Sequence, residues 1–200
     1  MPELTYFIGV TLDGFIAGPA DEVDFFDFSG EFSTFLAHEY ADTLPGHVRA
    51  AFGVAEAPLS RFDTVVMGRR TYEPALGAGI ADPYPHLRTV VCSTSLEAGS
   101  SPVEVVADDP LDVVRRLKAS PGRGVLLAGG GRLAGRVAGE IDRWVVKKYP
   151  VLAGRGRPVM DRPFAPQPLR LEQVRSFDNG CVVLDYVRDV APGSGRNATL

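Results

Sequence analysis

Two hundred residues, 45% hydrophobic and 23% charged, suffice for one domain with a substantial core. A formal net charge of -4 argues against general nucleic-acid binding, which needs a basic face, yet leaves room for a local cationic pocket. The two cysteines, Cys92 and Cys181, lie in apolar runs without a CxxC or neighbouring histidine, so they read as small buried hydrophobes, not a disulfide or metal pair.

Residues 4–12 (LTYFIGVTL) are rich in β-branched and aromatic side chains and predict a buried first strand. It runs into Asp13-Gly14-Phe15-Ile16-Ala17-Gly18-Pro19, a loop by its glycine, proline and aspartate content. Asp13-Gly14 alone is only a turn signal. Its place after a central strand matters, because open α/β sheets bind ligands at strand C-termini. An aromatic cluster of Phe25, Phe26, Phe28, Phe32 and Phe35 follows, threaded with Asp21, Glu22, Asp24, Asp27 and Glu31. The spacing of Phe32, Phe35, Leu36 and Tyr40 predicts a helix, with Ser29 or Gly30 as its cap. His38 and His47 have no partner at metal-ligand spacing and read as surface or structural residues. Residues 41–60, with Pro45, Gly46, Gly53 and Pro58, look like a loop-rich insertion.

Residues 62–68 form a second strand ending in glycine, and Arg69-Arg70-Thr71-Tyr72-Glu73 opens a short helix stopped by Pro74. Two arginines at a helix start oppose the macrodipole at a few tenths of a kcal/mol each. A phosphate held there would outweigh that, since a charge-assisted hydrogen bond contributes about 1.5–3 kcal/mol. Residues 88–92 make a third strand ending in Ser93-Thr94-Ser95, whose hydroxyls can bind phosphate or close a turn. A short strand at 102–107 precedes Asp108-Asp109-Pro110, which caps a helix over 111–119 with Leu111, Val114 and Leu117 on one face.

Gly124-Val125-Leu126-Leu127-Ala128-Gly129-Gly130-Gly131-Arg132-Leu133 then passes from buried strand to helix start, and the helix is expected to reach about Gly139. Residues 144–149 form another strand, left by a glycine-rich loop at 150–156. Residues 169–176 and 181–187 alternate around Asp178-Asn179-Gly180 and predict a hairpin. Residues 190–200 read as a disordered tail after a single domain spanning 1–189. No leader-like N-terminus and no apolar run of roughly 18 residues are present, so the expectation is a cytoplasmic protein without a membrane partner.

Gly129-Gly130-Gly131-Arg132-Leu133-Ala134 satisfies G-x-G-x-x-A, but a Rossmann fingerprint opens its domain and has an acid about 20 residues on. Here the run lies past the middle, and residues 149–156 hold no acid. The spacing suits a different α/β sheet, in which strand ends at 62–71, 88–95 and 124–133 converge on one dinucleotide.

Gly68-Arg69-Arg70-Thr71-Tyr72-Glu73, Val90-Val91-Cys92-Ser93-Thr94 and Gly129-Gly130-Gly131-Arg132 occur in the order and spacing of the dihydrofolate reductase fold. With Leu12-Asp13-Gly14-Phe15-Ile16-Ala17 and Tyr149-Pro150-Val151-Leu152, the chain resembles the bacterial branch typified by the reductase domain of the riboflavin-biosynthesis deaminase-reductase. The resemblance implies a three-layer α/β/α fold, a mixed, mostly parallel sheet with a C-terminal antiparallel hairpin. It also implies NADPH as cofactor. Arg69, Ser93 and Thr94 would lie at the adenosine 2′-phosphate. Arg70 and Thr71, with the amides of Gly130, Gly131, Arg132 and Leu133, would meet the pyrophosphate, Gly9, Val10, Ile16 and Ala17 would line the nicotinamide, and Gly68 and Gly129 complete the cofactor-binding set. An arginine with hydroxyls suits a dianionic phosphate, which agrees with this choice.

The substrate half departs from dihydrofolate reductases proper, which carry a proline-tryptophan pair after the first loop. Here that region reads Glu22-Val23-Asp24-Phe25-Phe26-Asp27. Asp24 and Asp27, with Glu31 behind them, are the candidate proton donors. The expected activity is NADPH-dependent hydride transfer to a small heterocycle of the riboflavin-pathway pyrimidine type. The alternatives are folate reduction and a non-catalytic dinucleotide-binding protein. The resemblance also suggests a homodimer.

Overall fold

In the computed structural model, which describes residues 1–97, 99 and 102–189, the apolar runs become the strands of one eight-stranded sheet. The strands are β1 (Glu3–Val10), β3 (Thr64–Gly68), β4 (Arg88–Cys92), β5 (Glu104–Val106), β6 (Gly124–Leu127), β7 (Arg143–Lys148), β9 (Leu169–Ser176) and β10 (Val182–Arg188). Across the sheet their order is β5-β4-β3-β6-β1-β7-β10-β9. All neighbours from β5 to β7 are parallel, while β10 runs antiparallel to both β7 and β9. The predicted hairpin is therefore β9–β10, turning at Gly180 with φ 78°.

Helices cover both faces, which is why the central strands read as continuous apolar runs. On one side, Phe7, Val65, Met67 and Leu126 pack beneath Phe32 and Leu36 of α1 (Gly30–Glu39) and Tyr72 of α3 (Arg69–Gly77). On the other, Ile8, Val66 and Leu127 meet Val113, Val114 and Leu117 of α4 (Pro110–Ala119) and Leu133 of α5 (Gly131–Arg136). Leu126 and Leu127 are each essentially unexposed, on opposite faces. Burial of a side chain of that size contributes about 1.5–3 kcal/mol. Asp109 caps α4, its carboxylate accepting the Leu111 N–H at 2.9 Å.

Four expectations change. Pro74 does not stop α3 but lies inside it. The buried Tyr72 holds the helix down, and its hydroxyl donates to the Ala81 carbonyl beyond the helix end, so packing overrides the missing N–H. Residues 41–60 are a folded layer around Ala37, Ala41, Leu44 and Val54, including the short helix α2 (Gly46–Arg49). It contains a buried carboxylate, Asp42, which accepts the backbone N–H groups of Ser60, Arg61 and Phe62 at 3.0, 2.6 and 3.0 Å. The helix after the glycine run ends at Arg136, with a 3-10 turn at Ala138–Glu140. Inside the first loop, β2 (Phe15–Ala17) pairs with β8 (Arg157–Pro158) as a two-stranded ribbon. The expected tail at 190–200 lies outside the described residues. Among the described residues, no helix is long and apolar enough to cross a membrane.

Candidate dinucleotide site

The parallel strands all point their C-terminal ends to one edge, which brings the three sequence motifs together. Gly68 is in register with Cys92, and the Gly68 N–H donates to the Gly129 carbonyl at 3.3 Å. Thr71, in the first turn of α3, turns its hydroxyl toward the glycine run. A Cβ built on Gly129 would lie 3.7 Å from Thr71 Oγ1, and one on Gly130 would lie 3.7 Å from Ile16 Cδ1. These two glycines thus leave bare backbone beside a hydroxyl and beside the first loop. The peptide bond between them is cis, and Gly129 has φ 120°, which a side chain would resist.

Gly131 serves a different purpose. A Cβ there would collide with the carbonyl oxygen of Pro158, so its absence lets the β2–β8 ribbon press onto the start of α5. The ribbon is fixed from below by the buried Tyr6, whose hydroxyl donates to the Val159 carbonyl at 2.9 Å. Leu133 is buried behind it, while Arg132 projects into solvent.

Two exposed arginines stand at the opening of α3. Arg69 pairs with Glu73 one turn on, at 3.2 Å. Arg70 lies near Asp21, whose backbone has φ 68° and whose carboxylate is hydrogen-bonded to Arg157 at 2.6 Å. That bond, then the charges of Arg157 and Arg70, hold the Asp21 carboxyl below its ordinary range. Ser93 closes a turn: its hydroxyl oxygen accepts the N–H groups of Ser95 and Leu96 at 3.2 and 3.1 Å, and it shares a hydrogen bond with the Ser95 hydroxyl at 3.4 Å. Thr94 is exposed beside it.

The first loop is tied to the loop after β7 by Asp13, which in the sequence carries only a turn signal. Asp13 accepts the Thr11 hydroxyl at 2.6 Å and the N–H groups of Ala153 and Gly154 at 3.1 and 2.6 Å. The Thr11 bond, then that from Ala153, lowers its carboxyl to about 2. Nothing local in Asp13-Gly14 signals a partner 141 residues away.

On the substrate side, the candidate acids do not converge on the cradle. Asp24, Asp27 and Glu31 are exposed. Asp27 accepts the Ser29 hydroxyl at 2.8 Å and the Asn179 amide at 3.5 Å, bridging the start of α1 to the C-terminal hairpin. Gly9 and Val10 end β1, and a Cβ on Gly9 would lie 3.2 Å from the Tyr149 ring. Phe26 stacks on that ring with centroids 4.5 Å apart, and Phe25 stacks on Phe26. Beside Gly9 in register stands Lys147, half-buried, its ammonium 3.9 Å from the centroid of Phe7. Burial lowers its pKa to about 7. Neither Lys147 nor Tyr149 stood out as a site residue in the sequence, because both sit in an apolar strand pattern.

The strand order, mostly parallel with an antiparallel C-terminal hairpin, and the placement of the glycine run are those of the dihydrofolate reductase-like fold of RibD reductase domains. The chain belongs to the RibD C-terminal domain family, whose family model matches residues 2–183. It is 27% identical over 186 residues to "Uncharacterized protein YwjB" of Bacillus subtilis (strain 168), covering 91% of this chain and 95% of that one. A putative riboflavin biosynthesis protein from Shewanella sp. PV-4 shares the fold with a TM-score of 0.66 at 20% identity, covering 93% and 98% of the two chains. A diaminohydroxyphosphoribosylaminopyrimidine deaminase/5-amino-6-(5-phosphoribosylamino)uracil reductase from Thermotoga maritima gives 0.64 at 17% identity. There the match covers 94% of this chain and 56% of the other.

Proposed function

We propose that this protein is an NADPH-dependent reductase acting on a small nitrogen heterocycle of the riboflavin-pathway pyrimidine type. The observation that carries the reading is the meeting of Thr71, the bare peptides of Gly129 and Gly130, and the arginine pair on one sheet edge. The residues fit the cofactor. Bare glycine backbone, a threonine hydroxyl, a serine turn and exposed arginines are a donor set for phosphates. The nearby carboxylates, Glu73 and Asp21, are already matched by Arg69 and Arg157.

In this reading Arg69, Ser93 and Thr94 hold the 2′-phosphate. Gly68, Arg70, Thr71 and residues 129–133 hold the pyrophosphate, and Gly9, Val10, Ile16 and Ala17 contact the nicotinamide. Bound there, NADPH supplies a hydride. The protein's share is positioning: the β2–β8 ribbon closes over the cradle, and the Phe26–Tyr149 stack shields the end of β1 from water. Folate reduction fits less well: a resemblance to dihydrofolate reductases proper implies a buried carboxylate on the helix after the first loop, and the buried residues of α1 are Phe32, Ser33, Leu36 and Ala37.

The test is titration with NADPH and NADH, followed by turnover with 5-amino-6-(5-phosphoribosylamino)uracil. Preference for NADPH together with pyrimidine-dependent oxidation supports the reading. Equal binding of both nucleotides overturns the cofactor assignment, and tight NADPH binding without oxidation favours a non-catalytic binder.

A further inference from the structure

Of the chain's 21 basic side chains only Lys118, Lys147 and Lys148 are lysines. The distinction matters because arginine stays charged, whereas a lysine can be tuned to give up its proton. Lys118 is fixed by Asp142 at 2.7 Å, and Lys148 lies on the opposite sheet face beside Trp144 and Val146. Lys147 differs from both. It is in register with Gly9 on β1 and Val183 on β10, on the face covered by α1.

No carboxylate among the described residues comes within ion-pair distance of its ammonium. Asp185, two residues along β10, is bound to Arg143 at 2.8 Å. Cys181 lies to the other side of Val183, just before β10, and Tyr149 two residues on, just past the end of β7. From β9, Arg175 stacks on the rings of Phe35 and Phe177. Tyr40 enters from α1 against Phe7, and Asp27 is held at the turn before that helix. The Phe7 ring thus offers the ammonium a π face in place of a counter-ion. A half-buried cation without an anion is costly unless something else completes its hydrogen bonds.

We propose that Lys147 meets the substrate and is the proton donor of the reduction. This rests on the reading that Gly9 lies under the nicotinamide. The substrate must then carry a C=N or C=O bond whose heteroatom reaches the Lys147 ammonium. Lys147 gives its proton to that heteroatom, which takes up the electron pair of the double bond. The adjacent carbon takes a hydride from the reduced nicotinamide, and water returns a proton to the amine. A proton donor working near neutrality is favoured by a pKa close to 7.

With three lysines, each ε-carbon signal of protein labelled with [ε-13C]lysine can be assigned by single Lys→Arg variants. Lys147 should titrate near 7, well below the ordinary lysine value of 10.5, and its signal should move when NADPH is added while that of Lys118 stays. In turnover with 5-amino-6-(5-phosphoribosylamino)uracil, Lys147→Met should lower kcat by roughly 10²–10⁴-fold with the NADPH Kd unchanged. Lys147→Arg should keep substrate binding but move the fall in rate, centred near pH 7 in the wild type, out of range. NADPH binding that leaves the Lys147 signal unmoved, or a midpoint near 10, overturns the proposal while sparing the cofactor reading. Failure to bind NADPH removes both. The two signal measurements need no turnover.

Discussion

The Asp13 carboxylate accepts the Gly154 N–H at 2.6 Å, and this bond joins the two loops that bracket the proposed nicotinamide end. Its pKa is lowered to about 2 from the model-compound value of 3.8. The folded state therefore gains from the ionised form above 3.8 and loses that gain as pH falls through about 2. Amide exchange at Ala153 and Gly154 should accelerate across that window, ahead of exchange in β1 and β6. Asp13→Ala should weaken NADPH binding at pH 7 with the helical circular dichroism unchanged. Unaltered exchange at the two amides would contradict the clamp.

Neighbouring glycines should respond differently to one methyl group. Gly131→Ala forces the β2–β8 ribbon off α5 and should cost about 1–3 kcal/mol, as overpacking does, read as a lowered urea midpoint. Gly130→Ala has only ordinary contacts around its new Cβ, so it should fold normally. The methyl group would stand where a pyrophosphate is proposed to approach, so NADPH affinity should fall by at least tenfold. Equal stability of the two variants would refute this account of Gly131.

Arg69 is expected to select the 2′-phosphate. Arg69→Ala should raise the Kd for NADPH by roughly 10–150-fold, the equivalent of about 1.5–3 kcal/mol, and leave NADH nearly unaffected. The loss should shrink with added salt, because Arg69 is exposed. Calorimetric titration of both nucleotides at two salt concentrations decides the matter.

Asp42 is unexposed and holds three backbone N–H groups of the segment entering β3. Asp42→Ala strands those donors and should destabilise the protein by about 3 kcal/mol or more. The residue lies near the N-terminal end of β3, away from the cradle, so NADPH affinity should not change once the variant is folded. Thermal unfolding and nucleotide titration of the same sample separate the two effects.

Features whose cause is local were legible in the sequence. The run from Gly124 to Gly131 shows itself because a fully buried parallel strand is apolar throughout and its exit needs glycine. The hairpin at Asp178-Asn179-Gly180 shows itself through turn chemistry. Features made by distant partners were not. Pro74 signals a helix end, yet the seating of Tyr72 carries α3 past it. Residues 41–60 look loop-like because their small core, Leu44 and Val54 among alanines, is spread between Pro45, Gly46, Gly53 and Pro58 and is tied down by the buried Asp42. The predicted cofactor residues gather at one edge because parallel strands share a direction. Asp24 and Asp27 have the chemical type of a proton donor, and both face water. Lys147 is hidden by alternation, since a strand residue can lie over a ring of the neighbouring strand without any sign in the chain itself.

The place of β1 in the sheet constrains how the protein is made. Both of its neighbours, β6 and β7, begin more than 110 residues further along, at Gly124 and Arg143. At bacterial rates of synthesis its apolar segment waits roughly ten seconds for either partner. A ligand cradle at the C-terminal ends of these same strands cannot exist earlier. Nascent chains halted before residue 124 should therefore present β1 to chaperones and capture no dinucleotide, while chains extended through β7 gain both the covered strand and the site.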